Sequence, residues 1–370
     1  MNCDFMSNGI VAFASSTLLA LALHKSVVSA SEGKAEASGE PKQKEVISKP
    51  EVSGKYKGVF VELSLPTPEL GRPEVLLNND TILTRAVKDA KECIYVYILE
   101  ESPQCVVNST EMFHYMSDVY SQLWDEMVSQ HKMHLSCVVV CDAVESPFSA
   151  PAGLYSQPSV EAMYTTNLSV VRSKAINSIR ASAGIDEPLV FEECPQPQFA
   201  SKNADSAPCF YLDSGRRGGS PSALPIYGTI ALGGTFDRLH NGHRKLLTLG
   251  AGLCRNTLVV GIMSDSMLRK KALSNMIFTY EQRAKAVVDF LALVKPSLQV
   301  NIFELTDPYG PTVTDASIEA LVVSSETMGG IQKINDIRAK SNFAPMAGLV
   351  VRREDISILS STFIRESALK

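Results

Sequence analysis

Two histidines, His240 and His243, stand three residues apart directly after a glycine-rich turn in the run GGTFDRLHNGH. The glycines Gly233 and Gly234 let the backbone turn sharply and approach a bound molecule closely. The apolar run before them predicts a strand, and a helix is predicted to begin at the histidines. A helix N-terminus offers N–H groups and the positive end of the helix dipole, both of which suit phosphate. Because two imidazoles there add further donors, the pattern predicts a site for phosphate chemistry.

The elements that must position this turn alternate along residues 226–370. Strand-like apolar runs occur at Tyr227–Leu232, Thr257–Ile262, Leu298–Phe303, Ala320–Val323 and Gly348–Val351. Helical spacing occurs at Gly242–Leu253, Tyr280–Leu293 and Gly330–Lys340. Connections of this length suit crossovers, so we predict a doubly wound α/β domain with a parallel five-stranded sheet. In such sheets the ligand crevice lies beyond the carboxyl ends of the strands, which is where the turn stands.

A second, degenerate α/β domain is predicted in front of the first, over residues 58–194. Helix-like and strand-like runs alternate in it at Thr81–Lys91, Cys93–Leu99, Glu111–His131, Leu135–Cys141 and Asn167–Ala183. Residues 31–57 and 195–225 are poor in large apolar residues, which predicts linkers around the two domains. Residues 1–30 are expected to form either the first strand and helix of the N-terminal domain or a signal-like segment.

Composition narrows the class of protein. The 370 residues carry 35 Lys+Arg against 40 Asp+Glu, a net charge of −5, and 45% are hydrophobic. The apolar content excludes a disordered chain, and without a basic patch we expect no nucleic-acid partner. Eight cysteines contain no CxxC pair, so buried thiols in a reducing compartment are expected. The apolar segment Gly9–Leu23 is shorter than the roughly 20 residues of a bilayer span, so we expect no membrane span and a cytoplasmic protein.

The turn and its histidines resemble the HxGH signature of the nucleotidyltransferase superfamily. Further spaced segments are similar to phosphopantetheine adenylyltransferase of the eukaryotic type, as in the adenylyltransferase part of bifunctional coenzyme A synthase. These segments are GGTFDRLHNGHRKLL (233–247), LVVGIMSDSMLRKK (258–271), YEQR (280–283), LTDPYGP (305–311), LVVSSET (321–327), Ile334-Asn335 with Arg338, and LSSTFIR (359–365). The resemblance covers essentially all of 226–370 and implies a Rossmann-like fold.

The resemblance also implies a reaction. ATP and 4′-phosphopantetheine would give dephospho-coenzyme A and pyrophosphate, with Mg²⁺ bound through the ATP phosphates. A phosphate monoester is already a nucleophile, so positioning and charge stabilisation suffice and no side-chain nucleophile is needed.

By the same resemblance, His243 binds the α- and β-phosphates, and His240 is oriented toward the phosphate oxygens. Thr235 holds the transferring phosphate, and Lys271 with its neighbour Lys270 supplies a movable positive charge. A second helix N-terminus would hold the leaving pyrophosphate through Ser360, Ser361, Thr362 and Arg365. The remaining expected nucleotide-binding residues are Gly233, Gly234, Phe236, Asp237, Gly242 and Arg338.

Structural interpretations of the same residues stay open. The two lysines can be solvated loop charges, Ser360–Thr362 can be a helix N-cap, and Asp237 can cap a helix. DPYGP is typical of a turn. Arg338 can pair with Asp336 or Glu354.

Alternative functions also stay open: another HxGH nucleotidyltransferase, or a non-catalytic scaffold paralogue that binds partners through residues 58–200. The sequence contains no G-x-x-x-x-G-K-[ST] phosphate loop, so we expect a separate dephospho-coenzyme A kinase to consume the product. A mitochondrion-associated location is the alternative to the cytoplasm.

Overall fold

The computed structural model describes residues 53–66, 72–99, 110–141, 150–166, 168–194, 225–324 and 327–351, together with Ser361 and Arg365. Residues Val52–Lys370 form one compact unit. The predicted segment 1–30 and nearly all of the predicted linkers 31–57 and 195–225 lie outside the described residues. None of the described helices is both long enough and apolar enough to cross a membrane.

The N-terminal half is built on five parallel strands. They are β1 (Tyr56–Ser64), β2 (Ala90–Leu99), β3 (Ser136–Cys141), β4 (Val160–Thr165) and β5 (Val190–Glu193). The connecting helices are α1 (Arg72–Asp89), α2 (Thr110–Ser129), α3 (Pro151–Tyr155) and α4 (Val170–Ser182). The strand order across the sheet is β3-β2-β1-β4-β5.

The sequence predicted some of these elements and missed others. The predicted strands at 93–99 and 135–141 and the helices at 111–131 and 167–183 are confirmed. The strands β1, β4 and β5 were not predicted, and α1 begins at Arg72, well before the predicted start at Thr81. The central strand β1 begins at Tyr56, inside the charged stretch that was read as linker, and nearly all of its side chains are buried.

The C-terminal half has a second sheet of five parallel strands. They are β6 (Tyr227–Gly234), β7 (Cys254–Met263), β8 (Gln299–Leu305), β9 (Ala320–Ser324) and β10 (Ala347–Val351). The helices are α5 (Asn241–Leu253), α6 (Asp265–Leu268), α7 (Tyr280–Val294) and α8 (Gly329–Lys340). The order β10-β9-β6-β7-β8 confirms the predicted doubly wound parallel sheet of five strands.

Buried side chains of both halves form one continuous hydrophobic cluster. The link is α5, which packs on β6 and β7 of its own sheet and on α2 and β3 of the N-terminal half. Trp124 on α2, which is 1% exposed, lies in this shared core. The helix that begins at the histidine motif is therefore held from both sides.

The five cysteines among the described residues are buried, and no disulfide joins them. Burial raises the pKa of the Cys137 thiol to about 12, so that thiol stays protonated at neutral pH. The prediction of buried thiols is confirmed for these five residues.

Candidate functional site

The turn after β6 has a strained backbone. Phe236 and Arg238 both adopt left-handed conformations, with φ of 53° and 48°. A side chain on Gly234 would come within 3.2 Å of the Phe236 ring, a tight contact that would require this buried ring to shift. Phe236 and Asp237 are fully buried at 0% exposure, and the surrounding packing maintains the turn. Strain of this kind costs about 1–3 kcal/mol per residue and is concentrated at functional sites.

The two histidines lie side by side where α5 begins. Their ring centroids are 3.8 Å apart and the rings are nearly parallel, with an angle of 22° between them. The Phe236 ring lies 5.2 Å from that of His243 and holds it from another side. His240 is the N-cap residue of α5, and its side chain makes no cap hydrogen bond. The first turn of α5 therefore presents backbone N–H groups beside two imidazoles, an arrangement suited to phosphate oxygens.

Lys271 is brought to the same turn from the loop after β7. Its ammonium group donates a 2.7 Å hydrogen bond to Thr235 Oγ1. Desolvation lowers the pKa of Lys271, and the positive charges of Arg365 and Arg283 lower it further. The neighbouring Lys270 is exposed. Of the two predicted lysines, Lys271 is thus the one in contact with the motif.

Asp237 is the centre of a buried network that fixes the turn. Its carboxylate accepts hydrogen bonds from Arg365 Nη1 at 2.6 Å and from the Phe278 N–H at 3.1 Å. Arg238 forms an ion pair with it at 3.2 Å. Ser361 Oγ donates to the backbone oxygen of Asp237 at 2.9 Å. This carboxylate therefore holds protein groups together, and its role is broader than that of a helix cap.

Arg365 extends this network to the lysine loop. Its guanidinium is 2% exposed and also donates to the Ala272 carbonyl oxygen at 3.0 Å, next to Lys271. Arg365 thus ties the lysine loop to the histidine turn. Ser360 and Thr362 lie outside the described residues.

Arg283 is a site residue to which the sequence analysis gave no role, although its segment YEQR was singled out. It is 1% exposed and donates to the Thr235 carbonyl oxygen at 2.8 Å and to the Asp265 carboxylate at 2.6 Å. The signal was present in the sequence, because Arg283 stands on the same face of α7 as Val287 and Leu291, which are buried. An arginine in line with such an apolar stripe needs buried partners.

The hydrogen bonds of Arg338 on α8 are made away from the histidine turn. Arg338 is 1% exposed, and its guanidinium donates to the carbonyl oxygens of Thr312 at 2.7 Å, Asp315 at 2.9 Å and Ile318 at 3.0 Å. These bonds hold the chain between β8 and β9. The DPYGP segment nearby forms a turn in which Asp307 accepts hydrogen bonds from two backbone N–H groups, and these bonds lower its pKa.

An open cavity of about 410 Å³ lies beside the lysine loop. It is lined by Asp265, Leu268, Arg269, Ser274, Asn275, Ile277, Phe278 and Thr279. Two of these, Asp265 and Phe278, contact Arg283. The cavity therefore adjoins the network around Thr235 and offers both apolar and polar walls.

Within the described ranges, no group of three or more His, Cys, Asp or Glu side chains is arranged to hold a metal ion. The Asp237 carboxylate, which is part of the motif, forms ion pairs with Arg238 and Arg365.

Residues 231–367 match the family model described as cytidylyltransferase-like. Three relatives named phosphopantetheine adenylyltransferase are also similar to part of this chain. The one from Saccharomyces cerevisiae is 40% identical over 152 residues, which is 39% of this chain and 50% of the relative. The one from Pyrobaculum aerophilum is 38% identical over 139 residues, 37% of this chain and 88% of the relative. The one from Methanopyrus kandleri is 37% identical over 128 residues, 35% of this chain and 80% of the relative.

This chain thus spans about half the length of the yeast relative but nearly all of the Pyrobaculum relative. The region that matches the family model contains the histidine turn and the lysine loop. It also contains all of β7 to β10 and the second half of β6. The chain therefore belongs to the phosphopantetheine adenylyltransferase family of cytidylyltransferase-like nucleotidyltransferases.

Proposed function

We propose that this protein transfers AMP from ATP to 4′-phosphopantetheine, giving dephospho-coenzyme A and pyrophosphate in coenzyme A biosynthesis. The observation that carries the proposal is the stacked histidine pair at the start of α5, with Thr235 and Lys271 bonded to each other on the same turn. The names of the relatives supply the acceptor and the donor.

The chemistry is a single in-line displacement. An oxygen of the acceptor's phosphate forms a bond to the α-phosphorus of ATP. The bond from that phosphorus to the bridging oxygen breaks, and pyrophosphate leaves with the electron pair. Because the attacking phosphate is already anionic, no proton has to be removed, and catalysis consists of positioning and charge stabilisation.

Some of the site residues contact phosphate, and others hold those contacting residues in place. His240, His243 and the first N–H groups of α5 stabilise charge on the α- and β-phosphates, and we include Gly242 in this turn of helix. The Lys271 ammonium, now bonded to Thr235, moves onto the transferring phosphate when substrates bind. Lys270 adds positive charge at the same opening.

The buried network around Asp237 holds this arrangement. Arg365 and Ser361 keep the lysine loop and the histidine turn at a fixed separation, while Ser360 and Thr362 are proposed to meet the leaving pyrophosphate. Phe236 supports His243, and Gly233 and Gly234 let the strand end approach the nucleotide. Arg338 acts at a greater distance, by shaping the chain between β8 and β9.

In this proposal a Mg²⁺ ion, which the resemblance to the family implies, would accompany ATP. Bound through the phosphates, it would offset their charge. The protein's own contribution is the set of cations and N–H groups described above. The cavity beside Phe278 is proposed to receive the pantetheine arm.

The test is an acceptor panel with purified protein. ATP with 4′-phosphopantetheine should release pyrophosphate and yield dephospho-coenzyme A identified by mass, whereas nicotinamide mononucleotide should give none. A preference for the mononucleotide, or for CTP as the donor, would indicate another HxGH nucleotidyltransferase. Wild-type protein no faster than His243→Ala with every pair would indicate a non-catalytic scaffold.

We further propose the cytoplasm as the compartment, with a mitochondrion-associated location as the alternative. A separate kinase would phosphorylate the product in this proposal. Subcellular fractionation of cells that produce the full chain distinguishes the two locations.

A further inference from the structure

One face of the histidine helix α5 is bound to the N-terminal half. Its residues Asn241, Lys245 and Thr248 follow helical spacing and are 3%, 7% and 0% exposed. Each of them has a partner on α2: Asn241 Nδ2 is 3.3 Å from Met127 Sδ, Lys245 Nζ is 3.4 Å from Ser121 Oγ, and Thr248 Oγ1 is 2.9 Å from the Tyr120 hydroxyl. Asn241, which stands between the two histidines in the sequence, thus contacts the N-terminal half.

The Tyr120 hydroxyl is the best-defined of these contacts. It accepts a 3.1 Å hydrogen bond from the Val139 N–H on β3 and lies 2.9 Å from Thr248 Oγ1. Tyr120 is 1% exposed, and burial raises the pKa of its phenol to about 12, so the hydroxyl keeps its proton at neutral pH. Because it accepts from Val139, its own proton is available for Thr248. One buried hydroxyl therefore joins β3, α2 and α5.

We propose that Tyr120, acting through Thr248, is a positioning residue for the His240–His243 pair, and that the N-terminal half is in this way a working part of the nucleotidyl-transfer site. The proposal rests on the proposed function for its catalytic consequence. It assigns a role to a half of the chain in which the sequence showed no catalytic residues.

The physical basis is the rigidity of a helix. Thr248 lies five residues after His243 on α5, about 7.5 Å along the axis at 1.5 Å per residue. A shift or tilt of α5 at Thr248 is passed on to its first turn, and with it to the imidazoles. Displacements of about 1 Å at a reacting group can lower turnover by about a hundredfold.

The same helix α2 supplies a matched control. Tyr115 is 2% exposed, and its hydroxyl accepts a 2.5 Å hydrogen bond from Asn79 on α1, inside the N-terminal half. The substitutions Tyr120→Phe and Tyr115→Phe each remove one buried, bonded hydroxyl from one helix. Only the first removes a bond to α5.

The experiment compares steady-state kinetics, thermal unfolding and amide hydrogen exchange of the full chain in both variants. We expect a similar loss of thermal stability in both. Tyr120→Phe alone should lower kcat about tenfold with the KM for ATP within about twofold of wild type, as misplacement of a reacting group predicts. It alone should also speed amide exchange over residues 241–248.

A second pair of variants guards against a folding defect in Tyr120→Phe. Thr248→Val removes the hydroxyl at nearly constant volume and should reproduce the loss of kcat. Thr248→Ser keeps the hydroxyl and should retain the kcat of wild type. Equal kcat in the Tyr120 and Tyr115 variants, together with unchanged exchange in α5, overturns the proposal. Inactive wild type would instead overturn the proposed function, and the exchange of residues 241–248 would still decide whether Tyr120 positions α5.

Discussion

The two halves of this molecule have the same framework and different strand ends. Each has five parallel strands in the same spatial order, with its first strand in the middle. In each half, the central strand begins with a tyrosine that pairs with the first residue of the neighbouring strand: Tyr56 with Ala90, and Tyr227 with Cys254. In both halves the strand register shifts directly after this first pair. The framework therefore does not determine the chemistry, which depends on the residues where the central strand ends.

A buried lysine stands at the same place in both halves. Lys132 follows α2 and donates to the carbonyl oxygens of Val87 and Ala90, where α1 ends and β2 begins. Lys295 follows α7 and donates to those of Ala251 and Cys254, where α5 ends and β7 begins. Each lysine carbonyl accepts from a leucine N–H three residues later, Leu135 and Leu298. This K-x-x-L turn is a signature of the framework itself.

The difference lies at the carboxyl end of the central strand. Six residues after Tyr227 stands Gly233, whereas six residues after Tyr56 stands Glu62. The Glu62 carboxylate is buried, accepts from Thr165 on β4 and is paired with Arg172 on α4. The crevice that parallel sheets offer to ligands is occupied there by the protein's own ion pair. In the C-terminal half, the same edge carries the histidine turn.

The largest effect should come from one imidazole. His243→Ala is expected to lower kcat by about 10²–10³, the usual cost of one preorganised group on developing charge. The matched control is His134→Ala in the N-terminal half, where the exposed ring lies 3.0 Å from the Lys91 carbonyl oxygen. Turnover measured under saturating substrates should be unchanged in the control. Equal losses in both variants would contradict the assignment of phosphate binding to the histidine turn.

The buried carboxylates of the two halves offer the next comparison. Asp237→Asn should lower the free energy of unfolding by about 3 kcal/mol, because Arg365 is almost fully buried beside it. Glu62→Gln should cost less, about 2 kcal/mol, since Arg172 is partly exposed. Urea unfolding measures both values. Activity should be lost only in Asp237→Asn, and a catalytic defect of similar size in Glu62→Gln would show that the N-terminal crevice has a function of its own.

Lys271 should make activity depend on pH. Its folded pKa is lowered, so its positive charge is lost at a lower pH than for an ordinary lysine. The value of kcat/KM should therefore fall as pH rises through that pKa. Lys271→Arg keeps the charge and should remove the alkaline fall, while Lys271→Met should lower kcat/KM about tenfold or more at all pH values. An alkaline fall that persists unchanged in the arginine variant would assign it to another group.

The smallest effect concerns the shared framework. Lys132→Met and Lys295→Met should each lower the free energy of unfolding by about 1 kcal/mol at neutral pH, through lost hydrogen bonds to carbonyl oxygens. Burial lowers the folded pKa of Lys295 from 10.5 to about 8. Between these values the unfolded chain binds one more proton than the folded chain, so this lysine's contribution to stability rises with pH.

The measurement is the difference in unfolding free energy between wild type and Lys295→Met from pH 8 to pH 10. It should grow with pH, and Lys132→Met should show a trend of the same sign because burial lowers that pKa as well. A difference that stays constant with pH would mean that Lys295 keeps its proton when folded.

The sequence predicted the C-terminal half well because its signals are local. Strands such as β7 are continuous apolar runs, and the histidine turn joins glycines to a helix start within a few residues. The strand β1 was missed because its first residues were assigned to the charged, Gly- and Ser-containing stretch that precedes it. The roles of Asp237 and Arg283 were missed because they depend on partners brought together only by folding.

The contact of Tyr120 with Thr248 shows the same limit most clearly, since it joins residues 128 positions apart. Nothing in the local pattern around either residue indicates the other. Both would be assigned to an apolar core from their spacing. Only the packing of α2 on α5 gives their hydroxyl groups a common role.

The most direct measurement of the central claim is label transfer from ATP carrying ³²P at the α-phosphorus. After incubation of wild-type protein with 4′-phosphopantetheine, the account predicts labelled dephospho-coenzyme A, no label covalently attached to the protein, and almost no transfer by His243→Ala. Labelled protein that passes its label to the acceptor, or wild type that forms no labelled dephospho-coenzyme A, would contradict in-line AMP transfer at the histidine turn.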